Sequence, residues 1–171
     1  PYLLNISNGK MTMLATNPGG VSEWMLDHDN ILRAAIKSDG VNSKVIYREN
    51  NDTEFRTVLT TNFKETLSPL FFTFDNKHIY ASSNLGRDKL AIVIFDIENG
   101  KEIEVLYEND QYDVYSLYFS RKRKLITSAS YTSWKGQRYF FDKETEEMYS
   151  KLEKHLPDYE IFATSKDKEE N

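Results

Sequence analysis

The sequence predicts an all-β chain: a partial β-propeller of about three four-stranded antiparallel blades, with strands of a flanking blade at each end. Short apolar or alternating runs recur between Gly, Asn, Asp and Lys residues, which is typical of strands joined by tight turns. Two turn motifs return along the chain with a common period. Aromatic residues make up 13% of the chain, including 11 Tyr and 10 Phe, and favour a half-buried pleated surface.

The apolar and alternating runs predict strands along the whole chain, and helical periodicity is scarce. The predicted strands are Leu3–Ser7, Met11–Ala15, Ser22–Leu26, Leu32–Lys37, Lys44–Arg48, Phe55–Thr60, Leu70–Phe74, His78–Ser83, Ala91–Asp96, Glu102–Tyr107, Ser116–Phe119, Lys124–Ala129 and Arg138–Asp142. Most of them follow one another after only a few residues, so we expect antiparallel neighbours joined by short turns.

The first turn motif occurs four times, at Asn5–Lys10, Glu49–Glu54, Asp96–Lys101 and Asp142–Glu147. Its first residues are 5, 49, 96 and 142, so the spacings are 44, 47 and 46 residues. Propeller repeats have periods of about 40–50 residues. Each period holds about four strands, so the motif joins the third and fourth strands of a blade. There Asn or Asp caps the turn, and Gly supplies a positive φ where it is present.

A second motif separates the first and second strands, at Asp27–Asn30, Phe74–Lys77 and Phe119–Lys122. Its spacings of 47 and 45 residues agree with those of the first motif. The two motifs together predict a single domain with blades at about 21–66, 67–110 and 111–157. Partial blades are expected at 1–20 and 158–171.

One stretch has a helical period, because Met148, Leu152 and Leu156 are spaced at i, i+4 and i+8. Glu147 and Lys151 add an i, i+4 ion pair. The sequence therefore predicts one short helix near 147–156, which Pro157 ends and which replaces or follows the outer strand of the third blade.

The composition restricts which partners the chain can bind, but it does not indicate the cellular compartment. With 22 basic and 27 acidic residues the net charge is −5, which argues against nucleic acid as a partner. The chain has no cysteine, and no apolar run approaches the ~20 residues of a membrane span. Because it opens on Pro1 without an initiating Met and ends on a charged stretch, we expect a fragment of a longer protein. The sequence leaves its compartment unknown, with the cytoplasm and the periplasm both open.

Glycine spacing excludes several nucleotide and nucleophile motifs. The seven glycines stand at 9, 19, 20, 40, 86, 100 and 136. They form no Gly-x-Ser-x-Gly elbow, no Walker loop and no Gly-x-Gly-x-x-Gly fingerprint. We therefore expect no catalytic residue, no cofactor-binding residue and no cofactor in this chain.

The remaining polar residues favour structural roles, so no metal site is expected either. His28, His78 and His155 occupy unrelated positions and are interpreted as turn or surface residues. Asp27 and Asp29 could open a calcium loop, but Ile31 stands at the third ligand position. The basic run Arg121–Lys124 is interpreted as a solvated turn, since alternation divides its side chains between two faces.

Several motifs resemble the propellers of prolyl-oligopeptidase-type serine peptidases. They are Ser83–Lys89 followed by Phe95-Asp96 and Gly100-Lys101, together with Thr60–Glu65, Pro69–Asp75 and Tyr118–Lys124. The last three are similar to bacterial members labelled as acylaminoacyl or dipeptidyl peptidases. The resemblance covers nearly the whole chain.

The resemblance implies that the catalytic residues lie in a C-terminal α/β-hydrolase domain of the same parent chain. This segment would cap that domain and limit its substrates to short peptides. Dipeptidyl peptidases of this family hold the substrate ammonium with a Glu pair from a propeller insertion. Glu146 and Glu147 have no such insertion around them and are interpreted as carboxylates at a helix start.

Two alternatives remain open from the sequence. A TolB-like or WD-repeat-type propeller would act as a protein-interaction scaffold without a hydrolase domain. A propeller glycosidase would need two inward carboxylates about 5–10 Å apart, whereas most acids here fall in turns. Trp24, Trp134 and most other aromatic residues are expected in the core between blades. Unclosed sheet edges predict self-association of the fragment.

Overall fold

Antiparallel sheets make up most of the computed structural model, which describes residues 1–17, 19–167 and 169–170. Pro18, Lys168 and Asn171, which fall in the predicted partial blades, lie outside the described residues. The strands are β1 (Tyr2–Leu4), β2 (Met11–Met13), β3 (Val21–Leu26), β4 (Leu32–Ser38), β5 (Ser43–Tyr47), β6 (Arg56–Thr61), β7 (Leu67–Phe72), β8 (Ile79–Ser83), β9 (Ala91–Asp96), β10 (Lys101–Tyr107), β11 (Val114–Ser120), β12 (Leu125–Thr132) and β13 (Gly136–Phe140). One helix, α1 (Lys143–His155), follows β13. Every strand predicted from the sequence overlaps one of these.

The strands form four sheets, numbered here in chain order. The first sheet pairs β1 with β2, the second runs β3-β4-β5-β6, the third runs β7-β8-β9-β10 and the fourth runs β11-β12-β13. All pairs are antiparallel and consecutive in the chain. The predicted fold class is confirmed: the structure is an all-β partial propeller with one short helix.

Two apolar cores join the three larger sheets face to face. The core between the second and third sheets contains Phe72, Ile79 and Phe95, each at most 1% exposed, together with Tyr47 of β5. The core between the third and fourth sheets contains Ile92 and Val114, both fully buried. Successive residues of a strand point to opposite faces, so the third sheet contributes Ile92 to one core and Val93 to the other.

The fourth sheet differs from the second and third because α1 follows its third strand. The helix begins at Lys143, four residues before the predicted start, because Asp142 caps it by accepting a hydrogen bond from the N–H of Thr145. It ends at His155, close to the predicted end, and Pro157 follows.

The helix packs on the face of the fourth sheet that points away from the third sheet. Tyr139 stacks on Tyr107 of the third sheet at 4.0 Å, so its neighbours Arg138 and Phe140 point the other way. Tyr149 of α1 lies 5.7 Å from the Phe140 ring and 4.2 Å from the Arg138 guanidinium. The helix thus covers the outer part of this face.

The stretch after α1 runs beside β13. Glu160 accepts a hydrogen bond from the Gly136 N–H, and the Ile161 carbonyl accepts one from Arg138. The described residues 156–167 and 169–170 contain no strand, so the partial blade predicted at 158–171 stays a prediction. No described helix is long and apolar enough to span a membrane.

Candidate functional site

The turns between the first and second strands of each larger sheet lie along one edge of the stack, here called the turn edge. Alternate turns of an antiparallel meander fall at opposite ends of its strands. Residues 27–31, 73–78 and 120–124 therefore meet at the turn edge, around a cleft of about 530 Å³. Asp29, Phe74 and Arg121 line it from three different sheets.

Asp27 caps the first of these turns. Its side chain is only 2% exposed, and Oδ1 accepts hydrogen bonds at 2.9 Å from the N–H groups of Asp29 and Ile31. Oδ2 lies 3.5 Å from Nη1 of Arg33. A carboxylate with these partners holds the turn and the neighbouring strand together.

His28 and Asn76 connect the second sheet to the third. The His28 ring stacks on Phe74 at 5.1 Å, and its Nε2 donates to the Phe72 carbonyl at 2.9 Å. Asn76 accepts from the His28 N–H at 3.0 Å and donates to Asp29 at 2.9 Å. These contacts make His28 a structural residue of the turn edge.

Two arginines border a second cleft of about 460 Å³ at the same edge and also make structural contacts. Arg33 donates to the Tyr47 hydroxyl at 2.6 Å and to the Asn76 carbonyl at 2.7 Å. Arg48 donates from Nε to the Leu32 carbonyl at 2.8 Å, and burial lowers the pKa of its guanidinium. Both arginines therefore tie strands to turns.

The other two histidines lie in separate surroundings. The backbone N–H of His78 donates to the Thr73 hydroxyl at 3.1 Å, while Nδ1 of His155 contacts the Lys151 carbonyl at 2.7 Å within α1. Among residues 1–17, 19–167 and 169–170, no three His, Asp or Glu side chains form a group suited to a metal ion. That the chain carries no catalytic, cofactor-binding or metal-binding residue stays a prediction.

The structure divides the basic run Arg121–Lys124 among different partners. Arg123 forms a two-point contact with Asp142 at 2.9 and 2.7 Å, and Lys122 lies 2.7 Å from Glu169. Arg121 lies 5.9 Å over the Phe119 ring. The hydrogen bonds from Arg123, with further ones from Thr145, lower the pKa of Asp142 to about 2.

A groove of about 580 Å³ lies on the free face of the fourth sheet, here called the far groove. It is lined by Tyr115, Tyr118, Trp134, Arg138, Leu156 and Phe162, among others. The expectation that the tryptophans lie in the core is wrong for Trp134, which is 86% exposed. Trp134 stands in the connection between β12 and β13, where no neighbouring sheet covers it, whereas Trp24 packs against Phe55 at 5.9 Å.

Glu146 and Glu147 lie in the first half of α1 and are exposed. Glu144 and Glu146 are the acidic residues of its first turn, where carboxylates are favoured by the helix dipole. Sequence reasoning missed the link between Arg123 and Asp142, because the two residues are far apart in the chain. The spacing of Asp142 and Thr145, which is typical of a helix cap, could have identified the helix start.

Similarity to one characterised enzyme covers part of the chain. In an alignment of 114 residues that covers 61% of this chain, it is 31% identical to dipeptidyl aminopeptidase BIII of Pseudoxanthomonas mexicana. The match spans only 16% of the length of that relative. No family model matches the chain. The similarity indicates a segment related to peptidases, in agreement with the all-β sheets.

Proposed function

We propose that this chain is a non-catalytic propeller segment of a prolyl-oligopeptidase-type serine peptidase. It caps a hydrolase domain of the same parent and restricts access to short peptides. The observation that carries the proposal is the similarity to a dipeptidyl aminopeptidase in a chain built of stacked antiparallel sheets. Because the match covers a small part of the relative, the activity belongs to the proposed parent.

Rigidity of the stack supports a gating role. A cap excludes long substrates only if its blades resist separation. The two apolar cores and the contacts from Arg33 and His28 join neighbouring sheets both inside the stack and at the turn edge. Each core also buries large side chains such as Phe95 and Ile92 completely.

The isolated chain provides the first test. Purified residues 1–171 should not hydrolyse chromogenic dipeptide substrates, because the proposed nucleophile and base lie in another domain. Turnover that a serine-directed reagent abolishes would contradict this. Reading the parent gene downstream adds an independent result: a Gly-x-Ser-x-Gly elbow supports the proposal, whereas termination after a few more blades favours a scaffold propeller without a hydrolase.

The second test uses the complete parent protein. Ile92→Ala loosens the packing between the third and fourth sheets, since Ile92 is fully buried there. We expect the rate on a dipeptide substrate to stay within a factor of two, while cleavage of a peptide of about 30 residues rises several-fold. Ile103→Ala, at a residue 50% exposed on β10, is the matched control and should change neither rate. Equal effects on both substrates, or no effect, would contradict gating.

A further inference from the structure

The chain contains two Asn-Gly pairs, Asn8-Gly9 and Asn99-Gly100, each in a turn between two antiparallel strands. The two turns share their main backbone features. The glycines have φ angles of +72° and +70°, and each donates its N–H at 2.8 Å to the carbonyl of the first residue of its turn, Asn5 or Asp96. Any difference between the two pairs therefore arises from their side-chain contacts.

An Asn-Gly pair can be modified through a cyclic imide. The backbone nitrogen of the glycine loses its proton and bonds to Cγ of the asparagine, the Cγ–Nδ2 bond breaks, and the amide group leaves as ammonia. Water then opens the imide at either carbonyl, which gives aspartate or isoaspartate. Glycine favours ring closure because it has no Cβ and the greatest backbone freedom. The reaction requires that the side chain lies over the glycine nitrogen and that its amide group is free to leave.

Asn8 meets both requirements. Its side chain points forward along the chain, since Oδ1 accepts a hydrogen bond from the Lys10 N–H at 3.0 Å. Such an Asx turn lays Cγ over the intervening Gly9 nitrogen. Nδ2 of Asn8 has no acceptor within residues 1–17, 19–167 and 169–170. Asn8 is also exposed to the water that the second step consumes.

The side chain of Asn99 is held in the opposite direction. Its Nδ2 donates to Oδ2 of Asp96 at 2.7 Å, and its backbone N–H donates to Oδ1 of the same carboxylate at 3.0 Å. The hydrogen bond from the Asn99 side chain lowers the pKa of Asp96, so the carboxylate stays charged at neutral pH. The amide group that would leave is therefore bound by a charged acceptor.

The first residue of each turn explains this difference. Oδ1 of Asp96 accepts the N–H groups of Glu98 and Asn99, and Oδ2 remains for the Asn99 amide group. Asn5 has a single side-chain oxygen, which accepts from the Ser7 N–H at 3.0 Å. All of these contacts lie within one turn, so they do not depend on the sheet that packs beside it.

We propose that Asn8 is a site of spontaneous deamidation in the folded chain, and that Asp96 protects Asn99 from the same reaction. The product at position 8 adds a negative charge and, as isoaspartate, one extra backbone atom to the turn between β1 and β2. The inference concerns the chain itself and does not depend on the proposed peptidase function.

Peptide mass spectrometry measures both sites in one sample. The purified chain is incubated in mildly alkaline buffer and digested with trypsin, which releases Pro1–Lys10 and Leu90–Lys101 with one pair each. Fragmentation separates Asn8 from Asn5, and aspartate from isoaspartate. We expect Asn8 to react about ten-fold faster than Asn99 or more, which is the rate equivalent of one charge-assisted hydrogen bond. Equal rates in the folded chain, or faster loss of Asn99, overturn the proposal.

Urea provides the control for local sequence. Once both turns are unfolded, the two pairs should react at similar rates, because the dipeptide is the same. A difference that persists unchanged in urea overturns the proposal, since the fold is then not its cause.

Exchange of the capping residues tests the role of the carboxylate. Asp96→Asn removes the charged acceptor but keeps an oxygen for the turn, and should raise the rate at Asn99 towards that at Asn8. Asn5→Asp is the reciprocal change at an exposed residue and should slow Asn8 several-fold. Circular dichroism checks both folds, and Asn5→Asp alone decides where Asp96→Asn is unfolded. Unchanged rates in the folded variants overturn the protection by Asp96.

Discussion

The third and fourth sheets share a Phe-Asp pair at the end of their third strand, but the chain continues differently after that pair in each sheet. In the third sheet, Phe95-Asp96 is followed by a tight turn and the outer strand β10; in the fourth, Phe141-Asp142 is followed by α1. Both aspartates accept backbone hydrogen bonds, Asp96 from Glu98 and Asn99, Asp142 from Thr145. The capping carboxylate is thus compatible with either outcome.

The residue four places after the aspartate separates the two outcomes. Gly100 has a φ of +70°, which reverses the chain into a hairpin, and its N–H donates to the Asp96 carbonyl at 2.8 Å. Glu146 holds the equivalent position after Asp142 and favours the helix. Between these two sheets the glycine marks the blade that a strand closes, although the turn at 49–54 reaches β6 without a glycine.

Core truncation should separate the two sheets most strongly. Phe95→Ala removes a fully buried ring and should lower the free energy of unfolding by about 3–5 kcal/mol, as measured by urea denaturation. Phe141→Ala is the matched change in the fourth sheet, where the ring is only partly buried, and should have a smaller effect. Equal losses at the two positions would contradict the difference in packing.

Gly100→Ala is expected to have the next largest effect. An added Cβ would meet both an unfavourable positive φ and the Val58 carbonyl of the second sheet. Gly9→Ala is the matched control, since Gly9 has a φ of +72° with open space around it, and should cost about 1–2 kcal/mol. Thermal unfolding of both variants measures their losses of stability, and the loss should be larger for Gly100→Ala. Equal losses would contradict the close approach of Gly100 to Val58.

Asp142→Asn tests the charge at the helix start, because Asn still caps a helix but cannot pair with Arg123. The loss at neutral pH should be about 1 kcal/mol, since both side chains are mostly buried. The folded pKa of Asp142 is about 2, below the unfolded 3.8, so its contribution is present above pH 4 and lost as the pH falls towards 2. The free energies of unfolding of the wild type and of Asp142→Asn should therefore converge as the pH falls from about 4 to about 2. A gap independent of pH would argue against the ion pair.

Asn76→Gly should have the smallest effect. Glycine tolerates the φ of +58° at this position, so the change removes only the hydrogen bonds to His28 and Asp29. A loss of about 0.5–1 kcal/mol is expected from chemical denaturation. A larger loss would mean that the turn edge contributes more to sheet stacking than its exposed hydrogen bonds indicate.

Much of the fold could be predicted because strands and turns are local. A short apolar run predicted β9 at its observed bounds, and the turn at Asp96–Lys101 was identified because its motif repeats along the chain. The start of α1 was placed too late because the apolar period begins only at Met148, whereas the cap lies at Asp142. Trp134 was misplaced because size alone does not show whether another sheet covers a ring.

By itself the sequence determined the period of the sheets, the kind of turn and the presence of a helix, since these depend on neighbouring residues. Only the tertiary structure decided which side chains meet across sheets. Arg123 reaches Asp142, and His28 stacks on Phe74, because different strands converge at the turn edge. It also decided that α1 covers only part of the fourth sheet, which leaves Met148 and Leu152 of the helix partly exposed. Such contacts depend on the relative placement of distant segments, which no local pattern encodes.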